Sequence, residues 1–203
     1  MNGREVVLRR VRRALANASP SAPVPRGYVE AGTSTRIQVM DAFVERIRDY
    51  GATVVVTDDV RTAVEEALAA RRIGIPADLP GEVRPAAANL VVDDGLSPQE
   101  LDALDGALTT CSVACATTGT IALDGGPGQG RRALTLLPDL HVCVVREGQI
   151  VETVPELVRG LEPAAAEGSP IVLVSGPSAT SDIELERVEG VHGPRRLVVV
   201  VAR

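Results

Sequence analysis

TVVVTDDVRTAVEEALAARRIGIP, residues 53–76, is the stretch on which the fold turns. It opens with three valines between two threonines, a β-branched run that fits the pleated surface of a strand. Asp58 and Asp59 follow as acidic cap residues, and a helix is expected from there through Arg72. Ile73–Ile75 reads as a second short strand, ended by Pro76, which lacks the amide a ladder needs. A strand, a helix and a strand in so short a space is the repeating unit of a parallel sheet.

The pattern extends in both directions. Upstream, Ile37, Met40, Phe43, Val44, Ile47 and Tyr50 keep a helical period, with Thr35 as N-cap and Gly51 as the stop. Downstream, residues 76–89 read as a Pro- and Ala-rich loop and Leu90–Val92 as a strand. Asp93-Asp94-Gly95 turns the chain, and Ser97-Pro98-Gln99-Glu100 opens a helix with proline in its first turn. Strands are then expected at Leu108–Ala116, Thr120–Leu123, His141–Val145, Pro170–Val174 and Leu197–Val201. Helices are expected at Val154–Leu161 and Ser181–Arg187. The fold class is α/β: a three-layer, mostly parallel sheet with helices on both faces. One domain spans 35–203, and residues 1–34 form an N-terminal extension that begins as a basic helix.

Composition narrows the chemistry. With one Phe, two Tyr and no Trp, the core must be aliphatic. All 21 basic residues are arginine, which excludes a phosphate-loop lysine, a Schiff-base lysine and a lysine general base. A cation that binds substrate must then be a guanidinium, suited to carboxylate or phosphate. The net charge of −6 argues against a nucleic-acid binder. Within residues 1–16, Arg4, Arg9, Arg10, Arg12 and Arg13 oppose only Glu5, a local +4 that leaves −10 elsewhere. Val7, Val11 and Leu15 recur every four residues there, as in an amphipathic helix that is either laid on the domain or turned to a partner or membrane surface. No apolar stretch is long enough to span a membrane, and an odd cysteine count does not read as a disulfide framework. The expected location is the cytoplasm.

Four stretches carry candidate chemistry. Thr118-Gly119-Thr120 offers close backbone approach with flanking hydroxyls. Asp124-Gly125-Gly126-Pro127-Gly128-Gln129-Gly130-Arg131-Arg132 places four glycines in six residues before two arginines. That composition suits a loop wrapped on an anion, with Gly126, Gly128, Gly130, Arg131 and Arg132 as contacts. The spacing is not that of a dinucleotide fingerprint. Ser175–Glu184 follows an apolar strand: Ser178 and Thr180 are candidate anion contacts, while Asp182 and Glu184 can act as acid or base. His192 sits between Val191 and Gly193 in a turn, a third catalytic candidate that titrates near neutrality and can serve as general base or ligand contact. Each stretch also has a plain structural reading, as a strand end, a surface turn, a capped helix or a loop histidine. Cys111 and Cys115 would share one face of a strand, as would His141 and Cys143, a set that could hold zinc if the strands were neighbours. Core thiols are the favoured reading, with no metal.

"TGT" at 118–120, "GPGQGRR" at 126–132, "LPDLHVCVV" at 137–145, "SGPSATSDIE" at 175–184 and "GVHGP" at 190–194 occur here in this order. In that combination the chain resembles the LUD domain family, of the lactate utilization C type. The resemblance covers Thr118–Pro194 closely and the N-terminal third only in its helix–strand plan. It implies a fold similar to the sugar-phosphate isomerase and CoA-transferase group. It also implies a role in oxidising L-lactate to pyruvate, with iron–sulfur clusters on partner subunits and no cofactor bound by this chain. An acidic residue often precedes "TGT" in such relatives; here Thr117 stands in its place. Two further readings remain. One is a stand-alone transferase, isomerase or ligase acting on a small phosphorylated, carboxylated or CoA-linked anion. The other is a non-catalytic scaffold or sensor. Edge strands and the N-terminal helix permit a homodimer.

Overall fold

Short valine-rich strands, too apolar to leave either face in water, pair in parallel through the middle of the molecule. The structure, a computed structural model, describes residues 2–16, 24–69, 71–86, 89–177, 179–180, 188–189 and 193–203, with the backbone alone at 179, 180, 188 and 189. In chain order the strands are β1 (Thr53–Thr57), β2 (Arg72–Ile75), β3 (Asn89–Val92), β4 (Gly106–Thr110), β5 (Val113–Cys115), β6 (Thr120–Leu123), β7 (Leu140–Arg146), β8 (Ile150–Val151), β9 (Val172–Val174), β10 (Ala179–Thr180), β11 (Val188–Glu189) and β12 (Arg196–Ala202). Six of them form the main sheet, ordered β1-β12-β7-β4-β2-β3, with every ladder parallel. A mixed sheet, β8-β5-β6-β9, lies beside it, and β10 pairs with β11.

Side-chain alternation along β4 and β7 divides the main sheet cleanly. Leu108, Val142 and Val144 turn to one face, where they pack with Ile73, Ile75 and Val200 under α3 (Val60–Leu68). Ala107, Thr109, His141 and Cys143 turn to the other. There, α2 (Arg36–Asp49) and the second sheet cover Cys143, Val145, Val199 and Val201. On the same face α4 (Pro98–Asp102) and α5 (Arg132–Leu136) bury Ala107 and Leu134 with Leu101 and Leu104. Helix α6 (Val154–Ala166) closes the far side of the second sheet through Leu157 and Leu161.

Local signals account for the helix starts. Thr35 caps α2 in a reciprocal box with Gln38, Asp59 accepts the Thr62 amide at 3.1 Å, and Ser97 pairs with Glu100. Three boundaries differ from those expected. Helix α3 stops at Leu68, because Ala69 takes a left-handed conformation at φ 44°, and Arg72 already belongs to β2. Helix α6 continues past Leu161 to Ala166 with Pro163 inside it. The run 108–116 is not one strand. It leaves the main sheet after Thr110 and re-forms as β5 in the second sheet, where Ser112 donates its amide to the Ala122 carbonyl at 3.0 Å.

Helix α1 (Gly3–Leu15) has none of its residues buried, and its Val7, Val11 and Leu15 stripe is exposed. Residues 32–34 do meet the body: the Ser34 amide donates to Glu152 at 2.8 Å. No helix among the described residues is long and apolar enough to cross a membrane.

Candidate functional site

The glycine-rich loop leaves β6 and folds over the carboxyl ends of β2 and β4, where the chain paths from the two strands diverge and ligands of open α/β sheets commonly sit. Here the loop itself fills that place. The Thr110 amide donates to the Gly128 carbonyl at 2.8 Å, and the Thr110 hydroxyl donates to the Pro127 carbonyl at 2.9 Å. A Cβ on Gly128, whose φ is +73°, would stand 2.7 Å from Thr110 Oγ1 and 2.9 Å from Pro80. Several loop donors are committed to the protein's own groups. The Gly128 amide reaches Asp78 at 3.1 Å, and the Gly126 amide reaches Asp124 at 3.0 Å. Gln129, buried, bridges back to Asp124 at 2.9 Å. Burial alone would raise the Asp124 pKa. The hydrogen bonds from Ser112, the Gly126 amide and Gln129 outweigh it and bring it below its ordinary value.

The two arginines that end the loop have different surroundings. Arg131 grips Asp93 with both arms, at 2.7 and 2.8 Å, and also donates to the Leu96 carbonyl. That guanidinium beside it holds the Asp93 carboxyl below its ordinary pKa. Arg132, one residue on, has no carboxylate within ion-pair distance among the described residues. It borders a cleft of about 290 Å³ together with Gly125, Gly130, Thr135 and Val172.

That cleft is one end of a seam. Helix α5 covers part of the main sheet and strand β9 of the second sheet covers the rest, and between them a second hollow of about 280 Å³ opens. Thr135 and Val172 line both. The inner hollow is bounded by Val174, Ser175, Gly176 and Leu197, with His141 at its floor. His141 is only 2% exposed, and its Nε2 lies 2.9 Å from the buried Thr109 hydroxyl. Burial pushes its pKa from 6.5 down to about 4, so the ring is a neutral hydrogen-bonding group at physiological pH.

Among the described residues, the "TGT" turn reaches the seam through Ser175. Thr118 and Thr120 stand 2.7 Å apart, and Thr120 is 2.7 Å from the Ser175 hydroxyl. This turn and the glycine-rich loop sit at opposite ends of β6, roughly 13 Å apart at strand rise. Helix α2 buttresses the turn: a Cβ on Gly119 would meet the Ile47 amide nitrogen at 2.9 Å. It also buttresses the chain at Gly176, where a Cβ would come within 2.8 Å of the Tyr50 carbonyl. Thr117 donates its hydroxyl to the Glu152 carbonyl at 2.5 Å.

Of the anticipated contacts, the seam brings together Gly130, Arg131 and Arg132, and reaches Thr120 and Thr118 through Ser175. Gly126 and Gly128 have their amides taken up internally, and Gly119 faces α2. Ser178, Asp182, Glu184 and His192 lie outside the described residues, as does the helix expected over 181–187; Thr180 is described by its backbone alone. Sequence reasoning did not single out Thr109 or Thr135, named Ser175 only as the start of a candidate stretch, and weighed His141 only as a metal ligand. Cys111, Cys115 and Cys143 are all buried free thiols. Cys115 packs with Leu157 and Leu161 under α6, apart from the cluster that holds Cys111 and Cys143.

The LUD domain family matches residues 97–202, which include every strand from β4 onward. "Lactate utilization protein C" of Deinococcus radiodurans is 47% identical over 199 residues, covering 96% of this chain and 93% of that protein. "Lactate utilization protein C" of Halalkalibacterium halodurans is 34% identical, over 51% of this chain and 46% of its own length. A crystal structure of a DUF162 family protein from Deinococcus radiodurans superposes with a TM-score of 0.74 at 40% identity, covering 84% of this chain and 100% of that one. The chain belongs to the LUD domain family.

Proposed function

We propose that this chain is a subunit of a lactate-utilization system, supporting the oxidation of L-lactate to pyruvate alongside partner subunits that carry iron–sulfur clusters. The observation that carries this reading is the 47% identity, along nearly the whole chain, with a protein named for lactate utilization. The subunit's own contribution is an anion-binding site at the outer end of the seam. Arg132 supplies the charge, Gly125 and Gly130 allow close backbone approach, and Arg131, tied to Asp93, positions the loop. The separation of Cys115 from Cys111 and Cys143 favours clusters held by the partners, and three free thiols suit the cytoplasm.

The test is L-lactate oxidation by the purified partner subunits with and without this chain. The rate should fall when the chain is omitted and return when it is added back. Arg132→Ala should restore it poorly. An unchanged rate without the chain would overturn the reading. The seam, a ligand-sized cleft with a neutral imidazole in its floor, favours a second reading: an enzyme acting alone on a small phosphorylated, carboxylated or CoA-linked anion. Turnover of such a compound by the isolated chain would distinguish the two.

A further inference from the structure

We propose that the seam is one two-ended site for an elongated organic anion, its phosphate or carboxylate held at Arg132 and its uncharged, largely apolar body received over His141. This rests on the anion-binding reading above and names the kind of molecule that site takes.

Four observations lead there. First, the two hollows adjoin, with Thr135 on α5 and Val172 on β9 lining both. Each alone lies at the lower limit of small-molecule sites; joined, they fall inside the ~300–1,000 Å³ such sites span. Second, the outer end is electropositive and uncompensated: among the described residues the Arg132 guanidinium has no carboxylate partner, while Arg131 beside it does. Third, among the described residues the inner end has no cation. Its walls are Leu136, Val174, Pro194 and Leu197, with polar groups restricted to the Ser175 and Thr135 hydroxyls and the His141 ring. A second charge placed there would lose its water without gaining a partner, whereas a carbonyl, a hydroxyl or an aromatic edge would be accommodated. Fourth, the polar groups at the inner end are held in place, His141 by Thr109 at 2.9 Å and Ser175 by Thr120 at 2.7 Å. Such tethering sets their orientation before any ligand arrives. Lactate, with its carboxylate at Arg132, would leave the inner chamber unfilled. The seam therefore suits a larger cofactor-like or effector molecule, which places lactate itself elsewhere in the assembly.

Calorimetric titration of the full chain with inorganic phosphate, phenyl phosphate and 1-naphthyl phosphate tests this, with acetate beside octanoate for the carboxylate case. Affinity should rise about tenfold from phosphate to phenyl phosphate, a ring's burial being partly offset by ordering, and rise again for naphthyl phosphate. Arg132→Ala should weaken every probe by about tenfold or more. Leu136→Ser and His141→Gln should shrink the gain from the ring and leave phosphate binding as it is. Leu136 on α5 is half-buried in the chamber wall, so its variant keeps the test valid even if His141→Gln fails to fold. Phosphate affinity unchanged by Arg132→Ala would overturn the anion-binding reading and this one with it. Phosphate binding that depends on Arg132 but gains nothing from the ring, or a gain that Leu136→Ser preserves in full, would overturn the two-ended site alone.

Discussion

The two faces of the six-stranded sheet share one backbone and one register yet are filled in opposite ways. Toward α3, successive strands present Ile73, Leu108, Val142, Val144 and Val200, every one buried and none polar. Toward α5 and the second sheet, the neighbouring residues on the same strands are Gly74, Ala107, Thr109, His141 and Cys143. The small residues at the second face let α5 approach closely: a Cβ on Gly74 would lie 2.7 Å from both Leu104 and Leu134. The polar ones sit where α5 and β9 fail to meet. A closed aliphatic face secures the fold, and the seam on the other face leaves room for a ligand.

Substitutions that separate the two faces give the largest effects. Leu108→Ala, in the closed face, should lose about 2–5 kcal/mol in chemical denaturation through the cavity it leaves. Its affinity for phosphate, per folded molecule, should be unchanged; a parallel loss of binding would mean that the faces are not independent. Next comes pH. The His141 pKa is 6.5 unfolded and about 4 folded, so as pH falls the unfolded chain takes up the proton first. Stability should therefore decline as pH drops from about 6.5 toward 4, by up to ~3 kcal/mol, and level off below that. His141→Gln should flatten that window; a flattened profile in the parent protein would show that the ring is not buried neutral.

Gly128→Ala should follow, at about 1–3 kcal/mol, because its left-handed backbone and its contacts with Thr110 and Pro80 leave no room for a methyl group. Melting of the variant beside Gly81→Ala, an open position, checks it. The smallest stability effects belong to the two arginines, and here the contrast is sharpest. Arg131→Ala should cost about 1–2 kcal/mol: the guanidinium is half-exposed, but its loss leaves the buried Asp93 side chain without its two-armed partner. Arg132→Ala should leave the melting point in place and remove phosphate binding. The reverse assignment, with Arg131 carrying the binding, would replace Arg132 as the anchor with the guanidinium that Asp93 already engages.

Much of the fold could be read from the residues because its signals are local. TVVVT at 53–57, the caps at Thr35, Asp59 and Ser97, and the Gly51 stop each act within one turn or strand. What escaped had no local signal. The run 108–116 is apolar on both sides because it passes from one buried sheet into another, so periodicity shows no break at Cys111. Ala69 adopts a backbone conformation that glycine would have announced. The "GPGQGRR" and "TGT" stretches were recognisable as special, but not that the first closes on Asp78, Asp124 and Asp93. The seam itself joins Thr109, Thr135, His141 and Ser175, residues from four elements whose meeting depends on tertiary packing alone.

The strand order also bears on how the chain reaches its native state. Among the described residues, strand β1 has a single partner in the main sheet, β12, with Thr53 opposite Val198 and Thr57 opposite Ala202. β12 in turn is the strand that joins β1 to β7. During synthesis, residues 53–57 emerge long before 196–202, so β1 waits without its ladder while α3 and the second sheet are already present. Such distant pairing makes closure slow, and it leaves a valine-rich edge open to wrong partners in the interval. For this protein, the hazardous moment of folding comes late, when β12 must slide between two strands that are already there.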